Sequence, residues 1–210
     1  MANNSSANSA FVSPILLAMT GASGSPYGMR LLECLVQAKQ QIYFLMSDSA
    51  RAVLEIEEGV TLPAKPAQLQ AFLTTQYKAA PDQIQVFDKQ EWTAPVASGS
   101  SSVRAMVICP CSSGALSAIA HGASNNLIER AADVMLKEQR KLIVVHRETP
   151  LSVIHLENLL KLAQMGVVVM PASPGFYNRP TAVSELVDFM VARILDHLAI
   201  PHQLVPRWGQ

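Results

Sequence analysis

The 210-residue sequence predicts an α/β fold: a doubly wound, mainly parallel sheet of about six strands with helices on both faces. Three observations predict it. Short, continuously apolar runs alternate with amphipathic segments of helical length, the pattern of strands buried on both faces. A glycine-rich turn, TGASG at residues 20–24, follows the first run and opens a helix. The residues just after successive apolar runs are small, hydroxylated or charged, as expected at the carboxyl edge of such a sheet, where ligands bind.

Ile15–Met19 (ILLAM) reads as the first strand, and the turn leads into a helix over roughly Tyr27–Lys39. Ile42–Met46 (IYFLM) is the second strand. Ser47 stands where its hydroxyl caps a helix over Asp48–Glu58. Residues 59–103 are less regular: a proline-containing stretch (LPAKPAQLQAF), a weak strand near Ile84–Phe87 and a loop, ASGSSS, at Ala97–Ser102. Order returns with a strand at Ala105–Cys109, a short helix at Ser113–Ala120 and a longer one at Leu127–Arg140. Leu142–His146 (LIVVH) is a strand, Ser152–Met165 a helix, Val167–Met170 a strand and Ala182–Leu198 the closing helix. The first 14 residues, rich in Asn and Ser and without Lys or Arg, lack the charged start of a signal peptide. They read as a flexible tail ahead of a single domain over 15–210.

Half of the residues are hydrophobic, enough for a large core. Sixteen Lys and Arg balance sixteen Asp and Glu, with no polybasic run for nucleic acid and no acidic tail. Any anion site must therefore be assembled locally. The three cysteines, Cys34, Cys109 and Cys111, have neither redox nor zinc spacing and read as buried thiols in a reducing compartment. No apolar run approaches the ~18 residues of a membrane span, so a cytoplasmic protein is expected. His121, His146 and His155 lack metal-ligand spacing, and no metal is expected.

Two glycine- and serine-rich turns, residues 20–24 and 111–114, each open a helix. Backbone N–H groups there suit a phosphate, although a tight turn without ligand has the same sequence. The glycines at 21, 24 and 28 depart from G-x-G-x-x-G, which disfavours a dinucleotide and suits a mononucleotide such as FMN. Arg147-Glu148 directly follows a buried strand, as a surface ion pair or as site residues. Arg130 and Lys137 share a helix face two turns apart. Arg193 lies on an otherwise apolar helix, either paired with Asp188 or Asp196 or available to a phosphate. No G-x-S-x-G elbow is present, so Ser23 is not a hydrolase nucleophile.

Together TGASG, ASGSSS, CPCSSG, ERAADVMLKEQRKLIVVHRETP, HLENLLKLAQMG and PASPGFYNRP resemble the flavin prenyltransferase family of the UbiX type, in order, from about Ile15 to Trp208. The resemblance implies a Rossmann-like fold, a homo-dodecamer with sites between subunits, reduced FMN as acceptor and dimethylallyl phosphate as donor. It also implies prenylated FMN as the product, delivered to a UbiD-type decarboxylase, without metal. Gly21, Ala22, Ser23, Ser47 and Arg147 match FMN contacts, as do Ser112, Ser113, Gly114 and Ala115. Tyr177 and Arg193 match residues that hold the donor phosphate, with Arg130, Lys137 and Arg147 as further anchors. Trp92 matches an aromatic wall over the prenyl chain. Glu57 and Glu148 match acidic groups near the reacting atoms, and Ser23 a hydroxyl at flavin N5. Asp48 stands where the family often has Lys, which removes a positive charge. The rival readings are a flavin-dependent decarboxylase of peptidyl cysteine or of aromatic acids, and a non-catalytic FMN carrier.

Overall fold

The computed structural model describes residues 13–207 and residue 209. Apart from Ser13 and Pro14, the expected N-terminal tail lies outside the described residues. Within the described residues, six parallel strands form one sheet: β1 Ile15–Met19, β2 Ile42–Met46, β3 Ile84–Val86, β4 Ala105–Cys111, β5 Lys141–His146 and β6 Val168–Pro171. Their order is β3-β2-β1-β4-β5-β6. The order reverses between β1 and β4, and a crevice is expected there, beyond their carboxyl ends.

Among the described residues, seven α-helices cover the sheet: α1 Ser25–Gln37, α2 Asp48–Glu58, α3 Pro66–Tyr77, α4 Ser113–Ala120, α5 Leu127–Lys137, α6 Val153–Gln164 and α7 Val183–His197. Strand alternation sorts the core in two. Ile15, Leu17, Phe44 and Val107 face α1, α2, α3 and α7, whereas Leu16, Ala18, Met106 and Val144 face α4, α5 and α6.

Two expectations change. The irregular stretch holds a full helix, α3, because Pro66 sits in its first turn, where the missing N–H costs nothing. The strand expected to stop at Cys109 runs on to Cys111. An extra residue between Ile108 and Cys111 shifts its register against β5 and turns Cys111 towards the α4 side with His146. All three cysteines are buried free thiols. On α6, Val153, Leu156 and Leu160 recur at helical spacing yet stand exposed, with Ile154 and Met165 beside them.

Candidate active site

A crevice of about 360 Å³ opens at the carboxyl edge, where the strand order reverses. Three helices begin on it, and each is capped by a side chain in its lining. Ser47 accepts from the Ala50 N–H at 3.1 Å, and Ser112 from the Ala115 N–H at 3.3 Å. Asn126 accepts from Ile128 and Glu129 at 3.0 and 3.1 Å. The positive ends of α2, α4 and α5 therefore face one space, which suits a phosphorylated ligand. Thr20 ties the first turn to β4: its hydroxyl donates to the Pro110 carbonyl at 3.1 Å and accepts from the Ser112 N–H at 2.8 Å. At Gly21 a Cβ would lie 2.4 Å from the Ser49 side chain, so the turn passes α2 only as glycine. At Gly114 a Cβ would meet nothing within 4 Å, leaving a bare backbone face on the first turn of α4. This donor set fits FMN: hydroxyls and helix N-termini for a phosphate and polyol, and open glycine backbone for a flat ring.

Ser47, Ser112 and Ala115 line this crevice, with Gly21 and Ala22 in the adjoining turn. Thr20 belongs to the turn singled out in the sequence, whereas Lys89 and Asn126 were not anticipated as lining residues. Asn125-Asn126 before an apolar helix is an N-cap signature that marks one of them. Asp48, which removes a positive charge on sequence grounds, forms an ion pair with Lys89 across the crevice.

The N-terminus of α1 does not join this anion site, contrary to the expectation from the glycine turn. Gly24, left-handed at φ 109°, turns the chain so that its N–H and that of Ser25 point at Glu57 on α2. The carboxylate accepts from Gly24 at 3.0 Å, from the Ser25 N–H at 2.8 Å and from the Ser25 hydroxyl at 2.7 Å. Partial burial pushes the Glu57 pKa up, but the hydrogen bonds from Ser23, Ser25 and Gly24 outweigh it and hold the carboxyl below its usual range. A protein carboxylate thus occupies the place expected for phosphate, and fixes the turn that carries Ser23.

Beyond β5, Arg147 donates from Nε to the Ser23 carbonyl at 3.3 Å, so it sits over the first turn. Glu148 is held by α4: Ser113 Oγ donates to it at 2.8 Å, and the Thr149 N–H adds a bond at 3.1 Å. These two bonds, Ser113 first, hold its carboxyl below the usual range. Ser113 also lies 3.2 Å from Nε2 of buried His146. Burial, reinforced by His155 against the opposing charge of Glu148, lowers the His146 pKa. Glu148 is thus an ionised acceptor at neutral pH, able to take a proton.

The remaining cations do not converge within one chain. Arg130 donates from Nε to the Ala97 carbonyl at 3.0 Å and pairs with Asp133. Lys137 reaches the same loop, since a methyl on Gly99 would lie 2.8 Å from its Nζ. They flank a second cavity, about 470 Å³, lined by Trp92 and the serines of residues 98–102. Tyr177 instead packs edge-on against Phe189 of α7, ring centroids 5.6 Å apart. One turn further along α7 lies Arg193, half exposed and paired with Asp196, while Asp188 binds Arg30. Helix α7 ends at the amino edge, where its last carbonyls accept from Lys141 and Arg104. Tyr177 and Arg193 therefore lie on the α7 side of the sheet, and Arg130 and Lys137 on the α5 side. Within the single chain the sheet stands between these two pairs, in keeping with the expectation of sites between subunits. Among the described residues, no group of three or more His, Cys, Asp or Glu is placed to hold a metal, and no helix is long and apolar enough to cross a membrane.

The Flavoprotein family model matches residues 3–195. The flavin prenyltransferase UbiX of Pseudomonas aeruginosa is 60% identical over 196 residues, covering 93% of this chain and 94% of the relative. Among solved structures, AnUbiX in complex with FMN and dimethylallyl pyrophosphate superposes with a TM-score of 0.82 at 36% identity, covering 94% of this chain and 97% of that one. A dodecameric FMN-dependent UbiX-like decarboxylase from Escherichia coli O157:H7 superposes with a TM-score of 0.81 at 37% identity, covering 94% and 100%.

Proposed function

The chain belongs to the Flavoprotein family, among its UbiX flavin prenyltransferases, and from that premise we propose that it transfers the dimethylallyl group of dimethylallyl phosphate to N5 and C6 of reduced FMN. The product is prenylated FMN, passed to a UbiD-type decarboxylase in the cytoplasm. Residues 15–210 act as one functional unit. The observation that carries the reading is the crevice onto which the capped starts of α2, α4 and α5 open beside Ser23, Arg147 and Glu148.

Bound reduced FMN supplies the nucleophilic nitrogen and carbon. Ser47, Ser112, Ser113, Gly114 and Ala115 hold it, with Gly21, Ala22 and Ser23 along the first turn. Glu57 acts through the turn it closes, keeping Ser23 in place. The donor's carbon–oxygen bond breaks with its electron pair on phosphate. Arg130, Lys137, Arg147, Tyr177 and Arg193 stabilise that charge as it develops. The indole face of Trp92 tolerates the positive charge left on the allyl group. The first bond forms at N5, whose proton leaves with the phosphate. Closure at C6 then uses the allyl double bond, one carbon of which takes a proton while the other bonds to C6. Glu148, ionised and held by Ser113, takes the proton lost from C6.

Because the sheet separates Arg130 and Lys137 from Arg193, a complete donor site needs two subunits. The homo-dodecamer provides them, and the exposed apolar face of α6, with Phe176 and Val183, supplies contact surface. The deciding assay mixes the protein, reduced FMN and dimethylallyl phosphate without oxygen and weighs the flavin. A mass raised by one dimethylallyl group, retained by dimethylallyl pyrophosphate only if the diphosphate also fits, is expected. An unchanged flavin mass, or release of CO2 from an aromatic acid by this protein alone, would overturn the reading.

A further inference from the structure

Among the described residues lining the crevice, Lys89 is the only cation. It is anchored by its own backbone, whose carbonyl accepts from the Leu127 N–H at 2.7 Å at the start of α5. Its ammonium group pairs with Asp48, the first residue of α2. The other carboxylate of the lining, Glu129, is engaged by the N–H and amide of Asn125 and the amide of Asn126 at 2.8 to 3.0 Å. Asp48 is three-quarters exposed, and among the described residues its ion pair is with the flexible side chain of Lys89, with Arg51 adding a longer-range attraction. Three helix N-termini already make the crevice a place for an anion. An anion entering it meets one mobile cation and one exchangeable carboxylate.

Resting on the FMN reading above, we propose that Lys89 is a specificity-determining residue: in the free protein Asp48 holds it, and on flavin binding it moves to the phosphate. The exchange costs little because an exposed ion pair is worth little. The phosphate, carrying more charge than a carboxylate and already facing the three helix starts, is the better partner. Asp48 then stands beside a bound anion and weakens its hold, which eases release of a flavin that must leave as product. Lys89 thus selects the phosphorylated flavin over riboflavin, while Asp48 limits how tightly it is kept.

The test is binding of oxidised FMN and of riboflavin, followed by quenching of flavin fluorescence, in the wild type, K89A, D48N and K89A/D48N proteins, with melting temperatures as the check on folding. K89A weakens FMN about tenfold, the scale of one charge-assisted hydrogen bond, and leaves riboflavin unchanged. D48N tightens FMN and slows its dissociation, and does neither for riboflavin. In the double variant the gain from D48N is reduced, because the lysine it frees is gone. Equal weakening of FMN and riboflavin by K89A, unchanged FMN affinity in K89A, or weaker FMN binding in D48N would each overturn the proposal. A wild type that binds FMN no better than riboflavin would remove the FMN reading itself.

Discussion

Replacing Glu57 with Gln removes the charge that closes the start of α1 while keeping the side chain's shape. The wild-type carboxylate accepts from two backbone N–H groups and one hydroxyl, at 2.7 to 3.0 Å. Fully dry, each bond to a charged acceptor would be worth ~1.5–3 kcal/mol. Glu57 is exposed, however, and exposed charges keep only ~0.2–1 kcal/mol per contact. A helix cap is worth ~1 kcal/mol. Gln retains one acceptor oxygen and turns an amide towards the other donors, so a net loss of about 1.5 kcal/mol follows from these scales. For a chain of this size that lowers the melting temperature by about 3–6 °C. The sign with pH follows from the depressed carboxyl. Its stabilisation is complete above the ordinary value of 4.5 and disappears as pH falls through the lower folded value. Urea unfolding of flavin-free protein at one fixed concentration, from pH 7 down into acid, reads both effects. The gap between wild type and E57Q is widest near neutrality and closes in acid. Equal stability at pH 7, or a gap that persists unchanged into acid, would refute the cap.

Ser113→Ala removes the bond that most lowers the Glu148 carboxyl, so the acidic limb of kcat/KM for prenylation moves to higher pH. A pH profile of flavin prenylation checks this, and an unmoved limb would separate Ser113 from the base. Gly28→Ala places a methyl 2.4 Å from the Cys109 carbonyl oxygen and 2.7 Å from Met19 Cε, between a helix and a central strand. It destabilises by ~1–3 kcal/mol, read by thermal melting. Gly114→Ala meets no atom in the free protein and replaces a poor helix former, so it melts no lower than wild type. Its FMN dissociation constant rises nevertheless, because the added methyl occupies the bare backbone face assigned to the flavin.

The sheet was legible because continuous apolar runs such as Leu142–His146 admit few other readings. So were the caps Ser47 and Ser112, whose hydroxyls precede periodic segments. Helix α3 was not, since Pro66 reads as a breaker until its place in a first turn is known. The end of β4 escaped because one extra residue reverses the inward-outward alternation that defines a strand. The role of Glu57 was hidden for another reason. Its bonds run to Gly24 and Ser25, more than thirty positions away, and no local pattern encodes such a partner. Arg193 shows the limit of chemistry read along a line: the sequence left it either paired with Asp188 or Asp196 or available to a phosphate, and only the fold shows that it pairs with Asp196 and which side of the sheet it occupies.

That division carries a genetic corollary. Under the proposed function, Arg130 and Lys137 on one face and Tyr177 and Arg193 on the other would make each donor site the joint property of two copies of the chain. Two defective alleles can therefore rescue each other when their lesions fall on opposite faces, since about a quarter of the sites in an evenly mixed particle draw both intact halves. Lesions on the same face, however mild each is alone, find no such relief. On that proposal, substitutions of Arg130 or Lys137 and substitutions of Tyr177 or Arg193 fall into two complementing sets, and the boundary between them is the β-sheet.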